Sequence, residues 1–180
     1  MRRVSVVGNS GSGKTTLART LADVLGVTHV ELDALYHGPG WTEPTRADFQ
    51  ARVAAALDEA TEGWTACGNY SAVRTEVVWP RADTVVFLDL PKHLVMRRVV
   101  TRSVRRTITR EELWNGNREP LRNLYRWDPD QSIIRWAWER HELYRQRFRA
   151  AATDPAFAHL EFVALRSPAE VADFVARAGR

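Results

Sequence analysis

The chain has 180 residues, 44% hydrophobic and 27% charged, with a single Cys. That fits one globular domain and excludes an internal disulfide framework or a multi-Cys zinc site. The net charge of +4 is unevenly spread: 14 of the 24 Arg lie between Arg97 and Arg149 against seven acids, and the remainder is slightly acidic. A basic segment of this kind calls for an anionic partner, whether polyphosphate, nucleic acid or acidic protein surface. No apolar run is long enough to span a bilayer. The run Val4 to Val7 after Met1-Arg2-Arg3 breaks at Gly8, so the expectation is a cytoplasmic protein with no membrane partner.

In chain order, Arg3 to Val7 reads as a short apolar strand. Leu17, Leu21, Val24 and Leu25 recur at helical spacing. Val27 to Leu32 reads as a second strand, and His37 to Pro44 as a loop by its Gly and Pro content. Phe49, Val53, Ala56, Leu57 and Ala60 mark a helix, followed by a brief strand from Trp64 to Cys67. Ala82 to Leu90 is the strongest strand, apolar on both faces as in a buried parallel sheet. Pro91 opens a helix carrying Leu94, Val95, Val99 and Val100. Thr101 to Asp130 is polar, Arg-rich and weakly periodic. A long helix from Ile133 to Phe148, a strand from Leu160 to Leu165 and a terminal helix complete the chain. Ser167, Pro168 and Glu170 form the capping signature of that last helix. Strands alternating with helices predict an α/β fold: three layers, α/β/α, around a five-stranded parallel sheet. The expected single domain has a core of residues 1–100 and 150–180 and an Arg-rich helical lid insert of about 101–149.

Gly8-Asn9-Ser10-Gly11-Ser12-Gly13-Lys14-Thr15 fits the pattern G-x-x-x-x-G-K-[ST], with Thr16 next in line. The glycines let the backbone turn so that successive N–H groups point at a phosphate. The following helix offers its N-terminal dipole to the same anion. Lys14 is placed for the β- and γ-phosphates, and the Thr15 hydroxyl for Mg²⁺. The strand before the motif and the helix after it supply the context the motif requires. The nucleotide-binding candidates are therefore Gly8, Asn9, Ser10, Gly11, Ser12, Gly13, Lys14, Thr15 and Thr16, with a nucleoside triphosphate and Mg²⁺ as their ligands. The base-reading element of GTPases is missing around Lys92, and the strand ending at Asp89 lacks the paired acids of motor ATPases. The short length favours a small kinase.

At this point the chain resembles the P-loop kinases of the nucleoside monophosphate kinase type, which are adenylate-kinase-like. More closely, it resembles the related proteins labelled DNA topology modulation proteins. The resemblance rests on the P-loop, Leu32-Asp33-Ala34-Leu35, Gly40-Trp41, Gly68-Asn69-Tyr70, Arg81-Ala82-Asp83, Val86 to Pro91, and Arg98 with Arg102. The stretch Thr109 to Glu119 also looks like a subgroup signature, without an assigned role.

The resemblance implies that Asp33 holds the acceptor hydroxyl or a metal-bound water; the alternative is a solvated loop acid. It implies that Arg74 clamps an acceptor phosphate with its planar fork, the alternative being a surface Arg. Tyr70 and Trp41, beside Gly68 and Asn69, are candidates to stack on a base or sugar, or are simply packed. Arg98 and Arg102 share a helical face. They, with Arg105, Arg106 and Arg110, are candidates to close over the transferring phosphoryl group, Arg102 foremost. One departure stands out: where the subgroup carries Asp before Gly-Asn-Tyr, this chain has Cys67, a poor ligand for Mg²⁺. Either Asp33 or Asp89 then serves the metal, or turnover is slow.

The leading expectation is an ATP-binding kinase transferring the γ-phosphoryl of Mg·ATP to a small acceptor such as a nucleotide or nucleoside. The catalytic candidates are Lys14, Asp33 and Arg102. The alternative is an ATP-switched nucleic-acid-binding regulator that uses the basic segment to track a phosphate backbone. The tryptophans 64, 79, 114, 127, 136 and 138 read as packing residues.

Overall fold

The computed structural model describes residues 1–118 and 132–179. Five strands form one parallel sheet: β1 (Arg3–Gly8), β2 (Thr28–Glu31), β3 (Trp64–Cys67), β4 (Thr84–Leu88) and β5 (Glu161–Leu165), in the order β2-β3-β1-β4-β5. The helices are α1 (Lys14–Leu25), α2 (Leu32–Tyr36), α3 (Arg46–Glu59), α4 (Ser71–Val73), α5 (Lys92–Thr109), α6 (Ile133–Ala151) and α7 (Pro168–Ala178). A π-helical turn over Arg74–Val78 continues α4.

The sheet sorts its side chains by the two-residue period of a strand. Val7, Val85 and Phe87 point to one face and pack with Phe49 and Val53 of α3 and Phe148 of α6. Val4, Val6, Val86 and Leu88 point to the other, against Leu17 and Leu21 of α1 and Phe174 of α7. This gives the expected three layers. Trp64 and Trp79 are fully buried in the first face. Trp79 also satisfies its indole N–H by donating to Ser5 Oγ at 3.2 Å, and burial of an aromatic this size contributes on the order of 3 kcal/mol.

The caps follow the sequence. Ser167 accepts from the Glu170 N–H, and the Glu170 carboxylate accepts from Ser167 Oγ and the Arg166 N–H. The expected insert divides. α5 runs on to Thr109 with Ser103 and Thr107 buried, so the helix does not end near residue 100. α6 belongs to the sheet-packing layer, because Tyr144 and Phe148 recur four apart on its buried face. Trp127, and residues 119–131 of that expected insert, lie outside the described residues. No helix among the described residues is long and apolar enough to cross a membrane.

Candidate functional site

In a parallel sheet, ligands collect beyond the carboxyl ends of the strands, where chain connections diverge to opposite faces. β1 lies between β3 and β4, and at that rim opens a cleft of about 1150 Å³. It is large enough for a nucleoside triphosphate and a small acceptor together.

The first wall is the loop from β1 into α1. Gly13 caps α1 with φ at +100°, and Gly11 has φ at +77°. A Cβ on Gly11 would sit 2.4 Å from Val99 of α5, so only glycine lets α5 press this closely on the loop. Lys14 Nζ donates to Asn9 O at 2.9 Å. Burial pushes its ammonium below the ordinary value, while the Asp33 carboxylate pulls the other way. Asn9 is buried: its side-chain oxygen accepts from Ser10 N at 2.8 Å and its amide donates to Ala137 O of α6 at 2.6 Å. Arg98 donates to Ser12 O at 3.1 Å and Arg102 to Ser10 Oγ at 2.8 Å. Both arginines therefore brace this loop, and Arg98 sits beside Gly13. Ser10, Gly11, Gly13, Lys14, Thr15 and Thr16 line the cleft; Gly8, Asn9 and Ser12 lie beneath it and shape the bend.

The floor is made by neighbouring strand ends. Asn69 clamps the Gly8 peptide, accepting from its N–H at 3.3 Å and donating to its carbonyl at 2.6 Å. Cys67 Sγ lies 3.8 Å from Thr15 Oγ1. Burial pushes the thiol up to about 12, so it stays neutral and offers no hard oxygen donor. The register that pairs Glu31 with Cys67 brings a carboxylate instead: Glu31 Oε1 is 3.5 Å from Thr15 Oγ1, and Oε2 is held by Arg19 at 2.8 Å. Sequence reasoning missed Glu31. Its only signal was the place at the end of β2, two residues before Asp33.

Asp89 does not serve the metal position. Its side chain is 1% exposed and is held by Arg145 at 2.7 Å and Arg149 at 2.9 Å, which tie α6 to the end of β4. Among the described residues no three acidic, His or Cys side chains gather into a metal cage. The oxygen donors present still fit Mg²⁺, which keeps most of its waters and takes one or two protein oxygens beside the phosphates. Thr15 and Glu31 supply that kind of donor.

The second wall holds Asp33. Tyr70 donates to Asp33 Oδ1 at 2.7 Å, and its hydroxyl is 3.4 Å from His37 Nε2. Burial and the Asp33 charge raise the Tyr70 phenol well above its ordinary value, so it stays protonated. Burial lowers His37, which favours the neutral imidazole. Trp41 and Trp114 join His37 along this side, with ring centroids 5.1 and 5.5 Å from the imidazole. The stretch without an assigned role in the sequence finds one here. Asn115 donates to Ala34 O and His37 O, and Asn117 donates to Gly38 O and accepts from Trp41 N at 2.9 Å. The segment is thus fastened to the loop after α2. His37, Trp114 and Trp136 line the cleft; sequence reasoning had left His37 in a loop and both tryptophans as packing.

Arg74, expected to clamp an acceptor phosphate, is not at the second wall. It is 4% exposed and absent from the cleft lining. The π-helical turn points it inward with Val77 and Val78, and its guanidinium lies 5.1 Å from the Trp79 and Phe148 ring centroids. Burial pushes it down to about 10. Arg105 and Arg106 line the cleft but reach Glu111 at 2.8 and 3.7 Å. Much of the basic segment is therefore engaged inside the fold. Trp138 is 57% exposed under the Lys92 ammonium, 3.6 Å from the ring centroid, while Trp136 faces Tyr144, as residues two apart on a helix must diverge.

No protein-family model matches the chain, and no curated protein is significantly similar in sequence. Solved structures are similar in fold. A shikimate kinase from Acinetobacter baumannii, in complex with shikimate, matches with a TM-score of 0.53 at 19% identity, over 98% of this chain and 90% of its own. A sugar kinase from Janibacter sp. HTCC2649 gives 0.52 at 19%, over 99% and 92%. A gluconokinase from Sinorhizobium meliloti 1021 gives 0.50 at 18%, over 98% and 89%. The chain shares with these three kinases an α/β fold around a five-stranded parallel sheet.

Proposed function

We propose that this protein is an ATP-dependent phosphotransferase that moves the γ-phosphoryl group of Mg·ATP to the hydroxyl of a small acceptor. The observation that carries this reading is the facing pair in one cleft. A loop with Lys14, Thr15 and inward-turned glycines forms one side, and a tyrosine-held carboxylate, Asp33, forms the other.

The loop amides and Lys14 bind the triphosphate, and Arg102 and Arg98 add positive charge over the loop. Thr15 and Glu31 would hold Mg²⁺, which when bound would offset the charge of the transferring phosphoryl group. Tyr70 occupies one oxygen of Asp33. The other is assigned to the acceptor hydroxyl, which it orients and whose proton it takes. Gly68 and Asn69 form the floor between the two ligands. Arg74 has no part in acceptor binding here; it stiffens the core behind Asn69, to whose carbonyl it donates at 3.4 Å.

The motifs support kinship with the adenylate-kinase-related subgroup. A DNA-binding regulator draws on the basic segment, but Arg98, Arg102, Arg105, Arg106, Arg145 and Arg149 of that segment are held by Ser12, Ser10, Glu111 and Asp89, which favours the kinase. The test is ADP formation across a panel of hydroxyl metabolites. The expected result is Mg²⁺-dependent ADP release that needs one acceptor class. Tight ATP binding with no acceptor-stimulated ADP release, joined to steeply salt-dependent DNA binding, overturns it.

A further inference from the structure

From the second wall we infer the class of acceptor: an uncharged ring compound bearing the attacked hydroxyl, a nucleoside or a neutral sugar, stacked on Trp41 and Trp114. Phosphate- or carboxylate-bearing acceptors are disfavoured. This rests on the kinase reading and specifies its acceptor.

Three observations converge. The first is charge. The cleft is polarised: Arg98 and Arg102 stand on the triphosphate side, bound to the loop. On the acceptor side, Asp33, Glu111 and Glu112 line the wall; Glu111 is held by Arg105 and Arg106 and Glu112 lies 3.8 Å from Arg118, while Asp33 is met by the neutral Tyr70 hydroxyl. Among the described residues, the charges that act on His37 are Asp33 and Glu43, both acidic. Arg74, the cation nearest in sequence to the Gly-Asn-Tyr element, is turned into the core. An anionic acceptor meets the Asp33 carboxylate there, and among the described residues the planar forks on that side, Arg105 and Arg106, are drawn onto Glu111.

The second is surface. Trp41, Trp114 and His37 expose flat apolar faces beside Asp33, with the two indoles at 79° to each other. Such faces stack on a base or on the CH face of a sugar and give little to a charged group.

The third is strain. Trp41 is a bulky residue at φ +61° and is 37% exposed. A left-handed conformation is costly for such a residue, and strain of this kind gathers at ligand clamps. Asn117 fixes Trp41 in that conformation through its N–H. Asn115, itself at φ +55°, anchors the segment that carries Trp114.

The experiment uses the whole protein with a nonhydrolysable ATP analogue and Mg²⁺. The probes are adenosine, thymidine, glucose, AMP, dTMP and gluconate. Binding is read by tryptophan fluorescence and saturation-transfer NMR, and phosphoryl transfer is read separately with ATP. The expected result is binding of a nucleoside or of glucose, unaffected by raised ionic strength, and the two compound types tell these sources apart. Trp114→Ala should weaken that binding about tenfold or more, as for one lost stacking surface, with Trp114→Phe restoring most of it. Trp41→Gly keeps the backbone turn, because glycine accepts a positive φ, and should also weaken binding several-fold. Preference for AMP, dTMP or gluconate overturns the inference. So does a neutral ligand whose affinity survives both Trp41→Gly and Trp114→Ala. If ATP binds and no neutral ring does, the inference fails while the nucleotide site stands. If ATP itself does not bind, the kinase reading fails first.

Discussion

The two walls of the cleft are built on opposite plans. The triphosphate wall is contiguous: nine residues from Gly8 to Thr16 carry the bend, the helix start, the ammonium and the hydroxyl. The acceptor wall is assembled from three separated pieces, around Asp33 to Trp41, Gly68 to Tyr70 and Leu113 to Asn117. A local wall obeys the backbone geometry of one turn, so its role is fixed by residue types in a fixed order. An assembled wall depends on strand register and on side-chain amides that reach across the chain. It is the wall on which specificity can change without disturbing the fold.

The comparison can be broken at its strongest point first. Lys14→Ala should abolish tight Mg·ATP binding and transfer together while far-UV circular dichroism stays native; calorimetric titration with ATP checks it, and unchanged affinity would sink the triphosphate wall. Asp33→Asn should leave ATP affinity close to wild type but cut transfer by about 10²–10⁴, so single-turnover rates separate the walls. Glu31→Gln should raise the Mg²⁺ needed for half-maximal transfer by about tenfold, read in a metal titration at saturating ATP. If the titration does not move, the strand-end carboxylate is only Arg19's partner.

The smallest effect is on pH. Burial lowers both His37 and His29 from an ordinary value of 6.5. The folded state therefore resists protonation that the unfolded chain accepts. Their contribution is present above about pH 6.5 and is lost as pH falls through the lowered values. Urea midpoints measured from about pH 8 down to about pH 5 should decline, and His37→Gln should flatten part of that decline.

What was legible in the sequence follows the same division. The phosphate loop, the apolar run into β4 and the Ser167 cap are short-range patterns, and the structure places them where the spacing put them. Glu31 was not legible as a partner of Thr15, because only the β2–β3 register sets it beside Cys67. His37 and Trp114 meet through Asn115, and no local spacing announces a contact between residues 77 apart in number. Arg74 misled because the turn after Tyr70 sets it on the buried face with Val77 and Val78, toward the core and away from the rim. Asp89 ends a strand as metal-binding acids do, but two arginines a turn apart on α6 claim it. α6 was legible as a helix from Ile133, but its Arg content hid its place against the sheet, although Tyr144 and Phe148 carried the period of a buried face.

The amide of Asn9 has a mechanical consequence. Its nitrogen is committed to Ala137 and its oxygen to Ser10, so the bend near the start of the chain is moored to a helix 128 positions downstream. Any tightening of that bend around a phosphate must pull on the α6 carbonyl or release it. The grip on one ligand and the seat of the distant helix are thus a single mechanical unit.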